Sequence, residues 1–266
     1  TYINTNDMSN TINWGKIHEL SYSPETNLTG TAAAPSFTNT KSVRFDGVDD
    51  FVDCGTGLGN QLGVISSFTV SVWIKPSITT KSPSFRISSI FNLGSFSNSF
   101  GEIIIGIKQD KLEIRLKNNS RTYILPYTNT TNWEHIAFVY DGSNSSNTKL
   151  YINNVEQSPT TGGAFPSSLN DASGLKTIIG GGYSIQNLYE GGIDEVAYFN
   201  SSLSTSDISA IYGTGAPNDI SSLSPLSWWR MGDGDTFPTL TDNGSGGNDG
   251  TMTNMTSGNI VTDVPT

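Results

Sequence analysis

Hydrophobic and polar positions alternate along most of the chain with a period of two, in short runs that predict strands. Val43 and Phe45 alternate with Ser42, Arg44 and Asp46; Asp46-Gly47 turns the chain, and Phe51 and Val52 open a second strand. Phe68, Val70, Val72 and Ile74 share one face of a longer run, with Ser67, Thr69, Ser71, Trp73 and Lys75 on the other, which predicts a strand with a polar outer face ending at Pro76. Residues 103–107, a Gln109-Asp110 turn, and Leu112, Ile114 and Leu116 alternating with charged residues predict a hairpin, which residues 123–125 extend. The run from Trp133 to Tyr140 is apolar on both faces, as expected of a central strand covered on each side. Residues 149–152, 155–157, 175–179 and 193–199 add further strands.

One helix stands out. Ser204 caps it, Asp207 occupies the capping-box position, Leu203 and Ile208 form a staple, and Gly213 ends it. Residues 1–40 lack a sustained period and read as an N-terminal arm; its apolar residues, among them Tyr2, Ile12, Trp14 and Leu20, imply that part of it docks. Residues 41–216 form the strand-rich module, and a Gly/Asp/Asn-rich C-terminal segment, 217–266, carries Trp228-Trp229-Arg230-Met231. The predicted fold is all-β: a two-sheet antiparallel jelly-roll sandwich with one short helix and flanking terminal segments.

Composition narrows the function. The 266 residues hold only 14% charged side chains, 28 glycines and no apolar run able to span a bilayer. A net charge of -10 opposes contact with a phosphate backbone or anionic membrane, so neither nucleic acid nor membrane insertion is expected. The lone Cys54 excludes an intrachain disulfide and a thiolate zinc site, and two histidines, His18 and His135, are too few for a histidine metal centre. Thr1-Tyr2 is the opening expected of a processed or trimmed chain. Seven Asn-x-Ser/Thr sequons follow from the Ser/Thr/Asn-rich surface rather than marking glycosylation.

The densest chemistry lies in the stretch Ser42-Val43-Arg44-Phe45-Asp46-Gly47-Val48-Asp49-Asp50-Phe51-Val52-Asp53-Cys54-Gly55. Its carboxylates are either solvated on an open turn or gathered around a hard cation with oxygen ligands. Glycoside hydrolysis needs two carboxylates about 5–9.5 Å apart. No Glu-x-Asp-x-Glu run occurs, and Glu102 and Glu113 read as exposed hairpin residues without a partner acid, so no enzyme is expected. His135, inside an apolar strand, reads as a sheet residue rather than a base. Trp73, Tyr123, Tyr127 and Tyr183 are candidates for stacking on sugars, although Trp73 and Trp133, large aromatics inside alternating strands, read more readily as core and Trp228-Trp229 as an anchor for the tail.

Three runs, Phe45-Asp46-Gly47-Val48-Asp49-Asp50-Phe51-Val52, Phe68-Thr69-Val70-Ser71-Val72-Trp73-Ile74-Lys75-Pro76 and Trp133-Glu134-His135-Ile136-Ala137-Phe138-Val139-Tyr140-Asp141-Gly142, together resemble the laminin-G-like, concanavalin A-like jelly-roll superfamily. Lys149-Leu150-Tyr151-Ile152-Asn153-Asn154 and Gly192-Ile193-Asp194-Glu195-Val196-Ala197-Tyr198-Phe199 complete the resemblance, which covers residues 40–213. It implies a structural Ca2+ held by Asp46, the Gly47 carbonyl and Asp49 opposite Asp194. The Trp228-Trp229-Arg230-Met231-Gly232-Asp233 segment resembles the opening of such a module, displaced to the end of this chain. Circular permutation is the favoured explanation, over a truncated second repeat or strand exchange with a neighbour. The same tail is similar to tails of laminin-G-like proteins of marine bacteriophages. The resemblance therefore implies a non-enzymatic virion surface or assembly module, virion-borne or extracellular, with adhesion to glycan and with virion or self subunits as partners. The alternative is a secreted bacterial carbohydrate-binding module or glycoside hydrolase accessory domain.

Overall fold

The computed structural model describes residues 37–77, 87–94, 101–128, 131–182 and 188–266. The chain divides into two units, 1–36 and 37–266, and the second carries all of the described residues. The expected docking of the arm's residues 1–36, and Tyr183, lie outside the described residues.

In chain order the first strands are β1 (Ser42–Asp46), β2 (Phe51–Asp53), β3 (Ser67–Pro76), β4 (Ser88–Gly94), β5 (Gly101–Ile107), β6 (Lys111–Leu116) and β7 (Arg121–Pro126). They continue with β8 (Glu134–Asp141), β9 (Lys149–Ile152), β10 (Val155–Gln157), β11 (Thr160–Gly162), β12 (Lys176–Ile179) and β13 (Glu190–Phe199). The last are β14 (Ser227–Trp229), β15 (Thr239–Leu240), β16 (Gly250–Thr253) and β17 (Ile260–Val261). Two helices, α1 (Gly57–Leu62) and α2 (Thr205–Tyr212), interrupt them.

The strands form a two-sheet antiparallel jelly-roll sandwich. One sheet runs β10-β9-β8-β3-β13-β1-β17, with β14 also on β13, and the other runs β11-β7-β6-β5-β4-β12-β2-β16-β15. Between them lie the alternate residues that the period-two pattern selects, including Val43, Phe45, Phe68, Val70, Val72 and Ile74 from the first sheet and Phe91, Leu93, Ile103, Ile105, Ile114 and Leu116 from the second. Burying each such side chain contributes about 1.5–3 kcal/mol. Phe68 lies at the centre of an aromatic group, 5.9 Å from the Tyr198 ring in a stacked arrangement and 5.3 Å from Tyr140.

The outer face of β3 departs from its polar pattern. Thr69, Ser71 and Trp73 are buried, because α2 and the segments around it cover this side of the first sheet. Ile208 and Ile211 of α2 join Ala137, Val139, Ala197, Phe199 and Trp228 in a second apolar cluster, with Leu203 packed against it. Thr69 remains satisfied under this cover, since its Oγ1 donates to the Ser201 carbonyl at 2.9 Å and accepts from the Leu203 amide at 3.0 Å. The helix itself forms as the sequence predicts. Ser204 and Asp207 exchange both capping-box bonds, and Gly213, at φ +61°, stops the helix.

The C-terminal segment enters both sheets. β16 pairs with β2, β17 with β1, and β14 with β13. β13 thus changes neighbour along one edge, pairing with β1 through residues 190–193 and with β14 through 196–198. Between those stretches a bulge shifts its register against β3, and Glu195 takes a left-handed backbone, φ +47°. Among the described residues, no helix is long and apolar enough to cross a membrane.

Candidate functional site

Among the described residues, three places bear on the predicted site: the β1–β2 turn, the β13 bulge, and a cavity between them on the outer face of the first sheet. At the turn, carboxylate oxygens of Asp46, Asp49 and Asp50 lie within 4.8 Å of one another. Asp46 Oδ1 accepts the amides of Val48 (2.7 Å) and Asp49 (3.3 Å), which folds the turn locally. Asp50 is buried; its Oδ2 accepts from the Asp46 amide and from Asn259 Nδ2, both at 3.0 Å. Burial raises the Asp50 carboxyl above its ordinary pKa, and the charges of Asp46 and Asp49 raise it further. Gly47 has φ +73°, and a Cβ there would sit 2.8 Å from Glu190 Cβ, so a side chain would be strained and crowded.

The structure does not bring Asp194 to this turn. Asp46 pairs with Glu190, four residues before Asp194 on β13, a separation of about 13 Å at ordinary strand rise. The resemblance placed Asp194 across from the turn, whereas the register of β13 carries it to the bulge. There Asp194 is wholly buried, accepting from Asn39 Nδ2 at 2.8 Å and from the Glu195 amide at 2.9 Å. Glu195 accepts from Trp228 Nε1 at 2.5 Å and Arg230 Nε at 3.1 Å. Burial pushes the Glu195 carboxyl up to about 7, against the opposing pull of the Arg230 charge and these bonds. Burial and the neighbouring Glu195 push Asp194 well above the carboxylate range. Asp233 accepts from the Thr40 and Lys41 amides at 3.0 and 3.2 Å, and Arg230 donates to the Thr38 carbonyl at 2.6 Å. These side chains bridge the gap between the start of β1 and the end of β14, which is a structural task.

The cavity has a volume of about 290 Å³, at the lower limit of ligand pockets. Ser42 and Arg44 of β1, Lys75 and Pro76 at the end of β3, and Gly191 and Gly192 of β13 line its sheet side. Trp133, just before β8, and Asp263, just after β17, line its other sides. The paired glycines make this geometry. A Cβ on Gly191 would lie 2.3 Å from the Lys75 carbonyl oxygen, and one on Gly192 would lie 2.7 Å from Trp133 Cη2. The indole therefore rests directly on the Gly192 backbone, half-buried, with its Nε1 donating to Asp263 Oδ1 at 3.1 Å. Lys75 Nζ donates to both Asp263 oxygens at 2.9 and 2.8 Å, while Arg44 is exposed. Burial acts to raise the Asp263 carboxyl, but the bonds from Lys75 and Trp133 and the charges of Lys75 and Arg44 outweigh it and hold it below the usual range.

Of the aromatic residues named for sugar stacking, the three that lie among the described residues are placed elsewhere. Trp73, Tyr123 and Tyr127 are all buried, Trp73 against Tyr212 of α2 and the two tyrosines in the core between the sheets. Trp133 lines the cavity instead; in the sequence it looks like the first apolar residue of a central strand, and the hint is its place just ahead of that strand's start. Glu102 and Glu113 are also buried, not exposed. Glu102 accepts from the Asn170 amide and Nδ2 at 2.8 and 2.9 Å, and Glu113 from Arg115 Nε at 2.7 Å. Glu113 pairs with Gly106, four residues beyond Glu102, so the two carboxyl-bearing positions lie about 13 Å apart along the ladder.

A laminin G-type profile of the concanavalin A-like lectin/glucanases superfamily matches residues 46–209. Among solved structures, a candidate carbohydrate binding protein from Bacteroides ovatus superposes with a TM-score of 0.59 at 18% identity, over 86% of this chain and 62% of that one. A heptameric SAP-like pentraxin from Limulus polyphemus gives 0.48 at 18% identity, over 66% of this chain and 82% of its own. The CBM40 of the IT-sialidase from Ruminococcus gnavus gives 0.48 at 14% identity, over 65% and 97%. No curated protein matches the sequence.

Proposed function

The chain belongs to the concanavalin A-like lectin/glucanases superfamily, and from that premise we propose that it is a non-catalytic, extracellular carbohydrate-binding module. The observation that carries this reading is the cavity at Trp133, where an indole, two cations and hydroxyl groups converge on a glycine floor. An aromatic ring offers a hydrophobic face to the C–H side of a sugar, and the polar rim supplies partners for its hydroxyls. The Bacteroides ovatus protein, named for carbohydrate binding and built on the same fold, agrees with it. Glycosidase chemistry draws no support from Glu102 and Glu113, which are both engaged in structural bonds, to Asn170 and Arg115.

Of the two settings that the sequence suggests, we adopt the secreted carbohydrate-binding module; assembly on a virion draws no support from the relatives found. The structural Ca2+ is proposed at the β1–β2 turn, with Asp46, Asp49 and Asp50 as its carboxylates. The fit rests on hard oxygen donors that lie within 4.8 Å of one another and whose repulsion a cation relieves. Residues 217–266 are read as the module's permuted opening segment, in keeping with β14 lying beside β13. The carbohydrate reading is tested on a glycan array probed with the intact chain and with Trp133→Ala. Binding by the intact chain that falls at least about tenfold in the variant is expected. An array blank for the intact chain, or a signal indifferent to Trp133, counts against it.

A further inference from the structure

We infer that the cavity at Trp133 takes a carboxylate-bearing glycan, an inference that rests on the carbohydrate-binding reading above. The cavity already holds one carboxylate, since Asp263 is gripped by Lys75 Nζ through both oxygens and by the Trp133 indole N–H. Beside it lies a cation with capacity to spare. Arg44 lines the same cavity and is exposed, and among the described residues its guanidinium makes no hydrogen bond or ion pair. Its planar fork matches a carboxylate with two parallel bonds. Two cations against one carboxylate leave the cavity positive, on a chain whose net charge is -10. A neutral sugar has no use for that surplus, whereas an acidic sugar can seat its carboxylate on Arg44 and its ring against Trp133. Asp263 then acts as a rival: exposed, near the chain's C-terminal end, and holding Lys75 away from the ligand.

The test is titration calorimetry of the full chain with a hexuronate oligosaccharide and a sialylated oligosaccharide, each beside its carboxyl-reduced counterpart. At least one acidic form is expected to bind about tenfold or more tightly than its reduced form, the scale of one charge-assisted bidentate contact. Arg44→Gln erases that difference, so that the acidic form binds no more tightly than its reduced counterpart. Asp263→Asn frees Lys75 and tightens binding of the acidic form severalfold. Arg44 is exposed, so its variant is expected to fold, and an unchanged melting temperature verifies this. Equal affinity for acidic and reduced forms, or binding of the reduced forms alone, overturns the inference and leaves the carbohydrate reading standing. Absence of binding to all four glycans overturns the inference, while the array with Trp133→Ala decides the broader reading separately.

Discussion

His135 is fully buried beneath α2, with its ring 5.2 Å from Trp73 and 5.8 Å from Tyr212. Nε2 lies 2.8 Å from Ser71 Oγ, and Nδ1 has no partner. Burial lowers its pKa from 6.5 to about 3. The unfolded chain therefore takes up a proton near pH 6.5 that the folded chain refuses until about pH 3. Stability tied to His135 is complete above pH 6.5 and is lost as the pH falls through that window, by up to about 1.4 kcal/mol per pH unit. Glu195 has the opposite sign. Its folded pKa of about 7 exceeds the ordinary 4.5, so its contribution falls as the pH rises between those values. The two overlap, and the difference between urea midpoints of the intact chain and His135→Gln isolates the imidazole; that difference should shrink steadily from pH 6.5 to pH 4. His135 could be read from the sequence as a sheet residue because its neighbours are apolar on both sides. Trp133 could not be read as a site residue: what frees it is Gly192, 59 positions later, and the two meet because β3 pairs with β13 on one side and with β8 on the other.

At the scale of elements, the junction of β1, β13 and β14 depends on Arg230. It is 17% exposed and its Glu195 partner 5%, so removing the guanidinium leaves a buried acid without its charge partner, held by the Trp228 indole. Arg230→Met is expected to cost about 3 kcal/mol in urea unfolding at pH 8, within the range for breaking a buried pair. The loss should be smaller at pH 5, where Glu195 holds its proton. The β1–β2 turn makes a separate prediction: chelation lowers the melting temperature, and added Ca2+ restores it. Asp46→Asn should abolish that response and Asp194→Asn should leave it, because Asp194 sits at the bulge rather than the turn. Helix α2 was legible because its capping box and staple are local in sequence. Helix α1 was not, since Gly57-Leu58-Gly59-Asn60-Gln61-Leu62 looks like loop, and its packing against β12 is invisible in the sequence.

For the whole molecule, alternation of side chains was enough to give two antiparallel sheets and the core between them. It could not give the second apolar cluster, which forms because α2 and the residues around Trp228 cover a face whose sequence reads as polar. The same limit hid the cavity, assembled from β1, β3, β13 and the residues flanking β8 and β17. Reading residues 217–266 as a permuted segment that completes its own chain predicts a solution mass near 28.5 kDa by light scattering. A strand-exchanged dimer would give about twice that.

The carbohydrate-binding reading is met most directly by the indole N–H resonance of Trp133 during titration with the best glycan from the array. Trp133 should shift and saturate with the affinity measured by calorimetry, while Trp228 and Trp229, bonded through their indoles to Glu195 and Asn248, stay fixed. A saturating titration that moves other tryptophans and leaves Trp133 unchanged would contradict it.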